Sequence, residues 1–463
     1  MKQVVLLSII FFVFFFANLT VIYSQVVAED SLALIDFYHS TKGENWGNHE
    51  NWLSSNPVSK WYGVVVENNR VVALQFGSGN YIRDSIPESI GNLSRLRELN
   101  LNYNYVSYIP ESIGKLTSLK YLFLRNNQLK EIPQSLNTLV LLEEADFSGN
   151  YITKLPDSIG DLSNLKFLNA SSNKLDALPN SMGKLINLIS LNLAGNRFTE
   201  IPLVVTKIKG LKELNFGDNP IQNLPVELFS LDSLTTLWLQ GDIISAIPAE
   251  IGNLIKLKDL QLQGNIIRNL PPEIGKLINL SNLDLSYNLL SVLPEGLGNL
   301  KSLTNLSLIY NRLERLPSTT GLMVSLKELR LQHNFLDSLP QNFGELKNLS
   351  ELNLDDNLFA DTFPSQIGKL KNLTLISFRS NRLKYSVLNA FESLTKLKWV
   401  FLEKNMLESL PDFKTNTALT DLSVSSNRLT FEDIEPLITM PNIHLYYSPQ
   451  DSLTIEADTN PKP

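Results

Sequence analysis

The chain has 463 residues, 43% of them hydrophobic, and carries a formal net charge of −7. This hydrophobic content is typical of a packed protein and excludes a disordered chain. The acidic balance argues against nucleic-acid binding, which requires clustered Lys and Arg. Because the chain contains no cysteine, disulfides, zinc–thiolate sites and cysteine nucleophiles are excluded as well.

The first segment, residues 1–24, has a short basic start at Lys2 followed by a long apolar run. This pattern predicts a secretory signal peptide, with cleavage after Ser24 or Ala28. The alternative is an uncleaved anchor, because the run from Val4 to Ile22 nearly reaches membrane-spanning length. Both interpretations predict a protein that is secreted or held at the cell surface.

Residues 29–70 are expected to form an N-terminal cap. Asp30 is placed to cap a helix that runs to about Thr41. Three of the five tryptophans follow, at Trp46, Trp52 and Trp61. Large aromatic side chains suit the covering of an open core edge. The alternative for this cluster is a sugar-binding platform.

Residues 71–447 repeat one unit, which Leu280–Pro294 shows most clearly. Numbered from Leu280, leucines occupy positions 1, 4, 6, 11 and 14, asparagine position 9 and proline position 15. The alternation predicts a short strand with one buried face. The asparagine amide both donates and accepts, so it is suited to bridging the main chains of neighbouring repeats. The Leu-Pro step then ends the strand pairing.

The register of this unit is kept along most of the chain. Position 1 recurs 23 residues apart from Leu96 to Leu349, then at Leu373, Leu397 and Leu419. Position 9 forms an expected ladder of asparagines, which comprises Asn104, Asn127, Asn150, Asn173, Asn196, Asn219, Asn265, Asn288, Asn311, Asn334, Asn357, Asn381, Asn405 and Asn427. The exception is Asp242, which cannot donate when ionised, so we expect a weak point there. Asn80 lies one residue late in a first, irregular repeat.

These motifs resemble those of leucine-rich repeat proteins. The resemblance implies an α/β repeat solenoid, a horseshoe of about sixteen repeats of 22–25 residues with a concave parallel β-sheet and short 3₁₀ or helical convex segments. Gly43–Trp46, Asn51–Leu53 and Trp61–Val64 resemble the cap of plant receptor-type ectodomains. Because this cap lacks their cysteine pair, it is more similar to the cap of secreted bacterial leucine-rich repeat proteins.

The end of the chain departs from the pattern. A last strand is predicted from Ile443 to Tyr447, and residues 448–463 are expected to be a polar tail. In similar secreted bacterial proteins this junction leads into further modules.

Positions 3, 5 and 7 are expected to point out of the concave sheet, with position 8 at its edge. Acidic residues outnumber basic ones there, which favours the steering of a basic partner. The alternative is a solvated face that keeps the protein soluble. Exposed aromatics occur in groups on this face, as binding anchors do. The candidate ligand-binding residues are Tyr121, Phe123, Phe167, Glu213, Trp238, Asp259, Asp284, Tyr310, Arg330, Trp399 and Phe401.

Several residues on or near this face have competing interpretations. The group at Trp399 and Phe401 is equally well explained by cover from the C-terminal segment. His333 is interpreted as an ordinary surface histidine. Asp355, Asp356 and Asp361 lack the spacing of a known calcium loop.

Function follows less closely from the sequence than fold does. We expect a non-enzymatic, exported scaffold that recognises a protein or peptide on its concave face, where the excess of acids favours a basic ligand. The alternative is a glycan-binding or cell-surface adhesion module of an envelope assembly. No catalytic constellation, cofactor motif or metal spacing is found. The expected partners include no nucleic acid, and they include a membrane only through an uncleaved N-terminal anchor.

Overall fold

The computed structural model describes residues 26–77, 79–385, 391–440 and 443–451. The expected signal peptide therefore lies outside the described residues, as does most of the expected tail. Within the described ranges, no helix is both long and apolar enough to cross a bilayer. The chain divides into two compact units, of which the first ends at Pro220 and the second begins at Ile221.

The described residues of the first unit form one α-helix and a series of short strands. Helix α1 spans Ala28–Ser40. The strands are β1 Val64–Glu67, β2 Arg70–Gln75, β3 Arg83–Ser85, β4 Glu98–Asn100, β5 Tyr105–Tyr108, β6 Tyr121–Phe123, β7 Glu144–Asp146, β8 Phe167–Asn169, β9 Ser190–Asn192 and β10 Glu213–Asn215. Strands β1 and β2 pair antiparallel, and β2, β4 and β6–β10 then pair in parallel order. Strands β3 and β5 form a separate parallel pair.

The second unit continues the same plan. Its strands are β11 Thr236–Trp238, β12 Asp259–Gln261, β13 Asn282–Asp284, β14 Asn305–Ser307, β15 Glu328–Arg330, β16 Glu351–Asn353, β17 Ala360–Thr362, β18 Leu375–Ser377, β19 Arg382–Tyr385, β20 Trp399–Phe401, β21 Asp421–Ser423 and β22 His444–Tyr446. All pair in parallel, β17 with β19 and the others in one sheet. Helix α2 spans Phe431–Ile438 and begins with a capping box formed by Thr430 and Asp433.

Between the strands, most repeats return through a 3₁₀ turn after a proline, as in Pro272–Lys276. Proline presets the backbone for such a turn but cannot join the strand ladder. The repeat leucines fill the interior, since Leu280, Leu283, Leu285 and Leu290 are fully buried. The predicted solenoid of short parallel strands and 3₁₀ turns is therefore confirmed.

The position-9 asparagines are buried and bridge successive repeats. Asn288 donates through Nδ2 to the carbonyls of Leu262 (2.9 Å) and Leu285 (3.0 Å), and its Oδ1 accepts from Ile267 N at 3.0 Å. The equivalent acceptor bond is made by Asn104, Asn127, Asn150, Asn173, Asn196, Asn219, Asn265, Asn311, Asn334, Asn357, Asn381, Asn405 and Asn427. Each amide thus satisfies main-chain groups that water cannot reach.

The ladder has members at both ends that are not regular asparagines of the repeat. Asn80, one residue late, accepts from Asn48 N of the cap at 2.8 Å. At the other end Gln450 accepts from Leu429 N at 3.3 Å and donates to Val424 O at 3.1 Å, as a ladder asparagine would. The repeat therefore extends into the segment expected to be tail. The spacing of 23 residues between Asn427 and Gln450 is the signal that identifies it.

The N-terminal cap is built on buried aromatic rings. Trp46 and Trp52 lie 5.0 Å apart between ring centroids, Trp52 and Trp61 4.9 Å, and Trp46 lies 5.1 Å from Phe76 of the first repeat. All three indoles are buried. The sugar-platform interpretation is therefore wrong, because the rings pack against the core and present no open face.

The expectation that Asp30 caps α1 is also wrong. The helix begins at Ala28, and Asp30 lies in its first turn, fully buried. Its carboxylate accepts from Val71 N at 2.7 Å and from the Arg70 guanidinium at 2.9 and 3.1 Å. Asp30 thereby joins the cap helix to the second strand, a long-range contact that helix-start patterns do not report.

Candidate ligand-binding face

The outward-facing side of the parallel strands, formed by positions 3 and 5 of the repeats, is called the strand face below. Strand alternation buries position 4 and turns positions 3 and 5 to solvent, as in β13, where Leu283 is buried between half-buried Asn282 and Asp284. Parallel pairing in register aligns equivalent positions of successive repeats into rows. A ligand on this face would therefore meet rows of side chains at the interstrand spacing of about 4.8 Å.

The expectation that position 7 also points outward is wrong for several repeats. Ser286 and Asp355 are buried, since the strand ends at position 5 and the chain then turns inward. Asp355, 8% exposed, accepts from Ser377 Oγ and from Arg379 N at 2.7 Å. Burial raises the pKa of this carboxyl, against the lowering effect of these hydrogen bonds. Asp355 is therefore a structural carboxyl, and three-ligand clusters of a metal-binding kind are absent from the described ranges.

In the first unit, acids alternate with aromatic rings on the strand face. The pairing places Glu144 between Tyr121 and Phe167, and Asp146 beside Phe123. Tyr121 and Phe167 are exposed, and the rings of Tyr121 and Phe123 are nearly parallel, 6.3 Å apart. Burial raises the pKa of Glu144, and the neighbouring charge of Asp146 raises it further. A cation placed here would meet both carboxylates and ring faces.

Glu213 lies on β10, the last strand of the first unit. It is exposed at position 3 and pairs across the sheet with Ser190. Its charge is therefore displayed on the strand face, where it is available for long-range attraction.

In the second unit, Trp238 is held by Asp259. The indole Nε1 donates to Asp259 Oδ2 at 2.8 Å, and the same carboxylate accepts from Gln261 at 2.6 Å and Asn282 at 2.7 Å. Asp259 is thus an orienting residue as well as a charge. Trp238 remains 37% exposed, so its ring is presented in a preferred orientation.

Of the four bases expected at positions 3, 5, 7 and 8 (Arg125, Arg330, Arg379 and Lys404), two are paired with acids. Arg330 forms an ion pair with Glu328, and Arg379 with Glu403. Arg379 also lies over the ring of Phe401, 4.1 Å from its centroid. Arg330 and Arg379 are therefore held by neighbouring carboxylates and are not free cations. Asp284, half-buried, accepts from Ser286 N at 2.9 Å through one carboxylate oxygen.

At the C-terminal end, β22 adds a strand beside β21 and leaves Trp399 exposed. His444–Tyr446 therefore extend the sheet, whereas residues 452–463 lie outside the described residues. The side chain of Thr420 lowers the pKa of Asp421, and His444, whose Nδ1 lies 3.2 Å from Asp421, contributes to the same shift.

Position 8 provides a feature that residue-by-residue interpretation of the sequence missed. Tyr287, Tyr310, His333 and Asp356 occupy it in four successive repeats, each with a left-handed backbone (φ 55°, 52°, 56° and 51°). The rings of Tyr287 and Tyr310 stack 4.8 Å apart, and those of Tyr310 and His333 3.9 Å apart. His333 Nε2 lies 3.6 Å from Asp356. We call these four residues the position-8 stack; His333 is part of it and not an isolated surface histidine.

Comparisons with known proteins agree with this architecture. A family model described as "Leucine-rich repeat region" matches residues 247–447, and one described as "Leucine rich repeat" matches residues 78–129. A solved leucine-rich repeat protein of Leptospira interrogans is 33% identical, with a TM-score of 0.77, over 81% of this chain and 95% of that one. The chain therefore belongs to the leucine-rich repeat family.

Other solved structures are more distant. The ectodomain of the Arabidopsis receptor kinase HAESA, in complex with an IDA peptide hormone ligand, is 26% identical, with a TM-score of 0.60, over 91% of this chain and 78% of that one. An internalin of Listeria monocytogenes is 22% identical, with a TM-score of 0.60, over 70% and 89% of the two chains, and shares the fold. None of the curated proteins matches the sequence.

Proposed function

We propose that this protein is a non-enzymatic, exported scaffold that binds a basic polypeptide on its strand face, which the repeat pattern predicts to be concave. The observation that carries the proposal is the alternation of carboxylates with exposed rings, seen at Tyr121, Glu144 and Phe167. Acids attract a basic partner over distance, and aromatic side chains supply the contact area that holds it.

The candidate anchors and charges remain those named from the sequence. Tyr121, Phe123, Phe167, Trp238, Trp399 and Phe401 would contact the partner on the strand face, and Tyr310 would contact it from the position-8 stack. Glu213, Asp259 and Asp284 would steer it. Arg330 has a smaller part, since its charge is paired with Glu328. The peptide complex formed by the HAESA ectodomain supports a polypeptide as the class of ligand.

Export is part of the proposal. It is supported by the basic start and apolar run of residues 1–24. It is supported also by the extracellular origin of the plant ectodomain among the similar structures. N-terminal sequencing of the protein recovered from its native source tests cleavage after Ser24 or Ala28. A mature protein that retains residues 1–24 would favour the anchored form.

Selection from a random twelve-residue peptide library displayed on phage tests the proposal. Enriched peptides should combine Lys or Arg with aromatic residues, and their binding should weaken in Trp238→Ala and in Glu144→Gln. A matched control is Glu250→Gln, an exposed acid in a 3₁₀ turn. Failure to enrich any basic peptide, or equal binding by all variants, would contradict the proposal.

A second candidate, glycan binding or adhesion, is favoured by one observation. Trp238, Asp259, Gln261 and Asn282 form a connected network of indole, carboxylate and amide groups. Such groups can hydrogen-bond hydroxyls while an aromatic face contacts a sugar ring. A glycan array bound by the wild type and not by Trp238→Ala would establish this alternative.

A further inference from the structure

The position-8 stack ends at a gap. The two repeats that precede Tyr287 carry Gly264 and Gly241 at position 8, both exposed and both left-handed (φ 71° and 69°). A Cβ built on Gly264 would meet only main-chain atoms of Gly241, at 3.4 and 3.5 Å, which is ordinary contact. In the row of position-8 residues, rings therefore follow Tyr287 in the next two repeats, whereas the two repeats before it carry no side chain.

The geometry of the stack leaves one ring face of Tyr287 open. Tyr310 covers the face towards the following repeat, with the ring planes 20° apart. The opposite face is directed towards the preceding repeat, that of Gly264. Tyr287 is accordingly 56% exposed, more than Tyr310 at 45%. Since the repeats advance by about 4.8 Å, a planar ring above Gly264 would continue the stack at the spacing already present.

The surroundings of the gap select the charge of its occupant. At positions 3, 5, 7 and 8 of the repeats beginning at Leu234, Leu257 and Leu280, the residues charged at neutral pH are Asp259 and Asp284. No Lys or Arg occupies these positions. A ring that carries or adjoins a positive charge would therefore be favoured over a neutral or anionic one.

We propose that the gap beside Tyr287 is a slot that takes one aromatic side chain of the partner, adjacent to a cationic group. The ring stacks on the open face of Tyr287 above Gly264, and the cation lies towards the carboxylate of Asp284, which accepts from Ser286 N while Ser286 O accepts from Gly264 N. This inference deepens the proposed function and rests on it, because it names one anchor point for a basic polypeptide.

Tryptamine, an aromatic ring that carries an ammonium group, is the probe. Titration of the full chain by ligand-observed NMR should give saturable binding with a dissociation constant on the order of millimolar, as a fragment of this size allows. 2-Cyclohexylethylamine keeps the charge without the planar ring, and indole-3-propionate keeps the ring with the opposite charge. Each should bind at least about threefold more weakly than tryptamine.

Two variants locate the probe. Gly264→Tyr fills the gap with a ring, and the backbone tolerates it because Tyr287 and Tyr310 adopt the same left-handed conformation at the same position. Gly264→Asn is the matched control, since Asn126 occupies position 8 with φ 52° and carries no ring. Tryptamine binding should be lost in Gly264→Tyr and in Tyr287→Ala, and kept in Gly264→Asn.

The outcomes separate this slot from the wider proposal. Tryptamine that does not saturate, or that binds Gly264→Tyr as it binds the wild type, overturns the slot. Cellohexaose that binds the wild type, is lost in Gly264→Tyr and outcompetes tryptamine would assign the gap to a neutral sugar and overturn the cationic ring. Basic peptides selected on the strand face but unaffected by Gly264→Tyr leave the proposed function standing and refute the slot alone. Tryptamine bound as described, with no basic peptide selected, refutes the polypeptide partner and leaves the gap as a site for a cationic aromatic group of another ligand.

Discussion

The Asp30 carboxylate, fully buried in the cap helix, accepts two hydrogen bonds from the Arg70 guanidinium at the start of β2. Their ion pair joins the cap to the first repeat across forty residues of sequence. The hydrogen bond that Arg70 donates to Asp30 is the largest cause of the raised pKa of Arg70. Removal of the guanidinium would leave a buried carboxylate with Val71 N as its remaining partner.

Arg70→Met should therefore destabilise the protein by about 3 kcal/mol, because a buried charge loses its counterion. Arg97→Met is the matched control. Its pair with Glu67 is about half exposed on both sides, so its loss should cost less than about 1 kcal/mol. Urea unfolding followed by circular dichroism measures both. Equal destabilisation by the two variants would show that the buried carboxylate of Asp30 does not need Arg70 as its counterion.

The asparagine ladder predicts opposite effects at two equivalent positions. Asn288→Leu should destabilise by roughly 1–3 kcal/mol, because the carbonyls of Leu262 and Leu285 and the amide of Ile267 become buried and unpaired. Asp242→Asn supplies the amide donor that the other repeats have and should be neutral or stabilising. Thermal melts compare the two variants. An unchanged melting temperature in Asn288→Leu would contradict the claim that the ladder contributes to stability.

Gln450 is expected to stabilise the last repeat locally. Gln450→Ala removes the acceptor for Asn427 N and Leu429 N and the donor to Val424 O. The amide of Leu429 should then exchange with deuterium faster, by about tenfold for a local loss of roughly 1.4 kcal/mol. Asp451→Ala is the control, since the bond from Asp451 N to Asn427 O belongs to the main chain and is kept. Unchanged exchange at Leu429 in Gln450→Ala would refute this role.

Asp355 should make stability fall with rising pH in the acid range. Its folded-state pKa is raised above the ordinary value of 3.8 by burial, so the folded protein binds its proton more tightly than the unfolded chain does. The associated stability is present below 3.8 and is lost as pH rises through the raised pKa.

Asp355→Asn keeps an oxygen acceptor and cannot ionise, so this contribution should disappear. The variant should gain stability relative to the wild type as pH rises from about 3 to 7. Melting temperatures measured across that range test the sign. A difference between variant and wild type that does not depend on pH would contradict the raised pKa.

Much of the fold could be predicted from the sequence, because the structure of each repeat is determined largely by its own residues. The leucines around Leu280 and the asparagine at 288 report local alternation and a local hydrogen-bonding need, both of which recur in register. The contacts of Asp30 and Gln450 could not be predicted in the same way. Asp30 is paired across a long separation, and Gln450 performs the task of asparagine with a different side chain.

The candidate site was less predictable than the fold. Which residues share a row follows from the repeat spacing, so Tyr121, Glu144 and Phe167 could be placed together. The sequence does not report whether a side chain is already occupied by its neighbours. Asp259 holds Trp238, and His333 stacks on Tyr310, through rotamers that only the packed structure defines. The inward turn after position 5 likewise buried Asp355, which alternation alone had placed at the surface.

The central claim, that acids of the strand face steer a basic polypeptide held by aromatic anchors, is tested most directly by surface plasmon resonance with a selected basic peptide. Replacement of Glu144, Glu213 and Asp284 by the corresponding amides should slow association and flatten its dependence on salt, whereas Trp238→Ala should speed dissociation at a cost of about 2 kcal/mol. Asp259 is left unchanged because it orients Trp238.

The control carries the same charge change on the 3₁₀ turns, at Glu88, Glu227 and Glu250, and should leave both rates close to those of the wild type. If the two triple variants associate equally fast and Trp238→Ala dissociates like the wild type, the strand face is not the binding site.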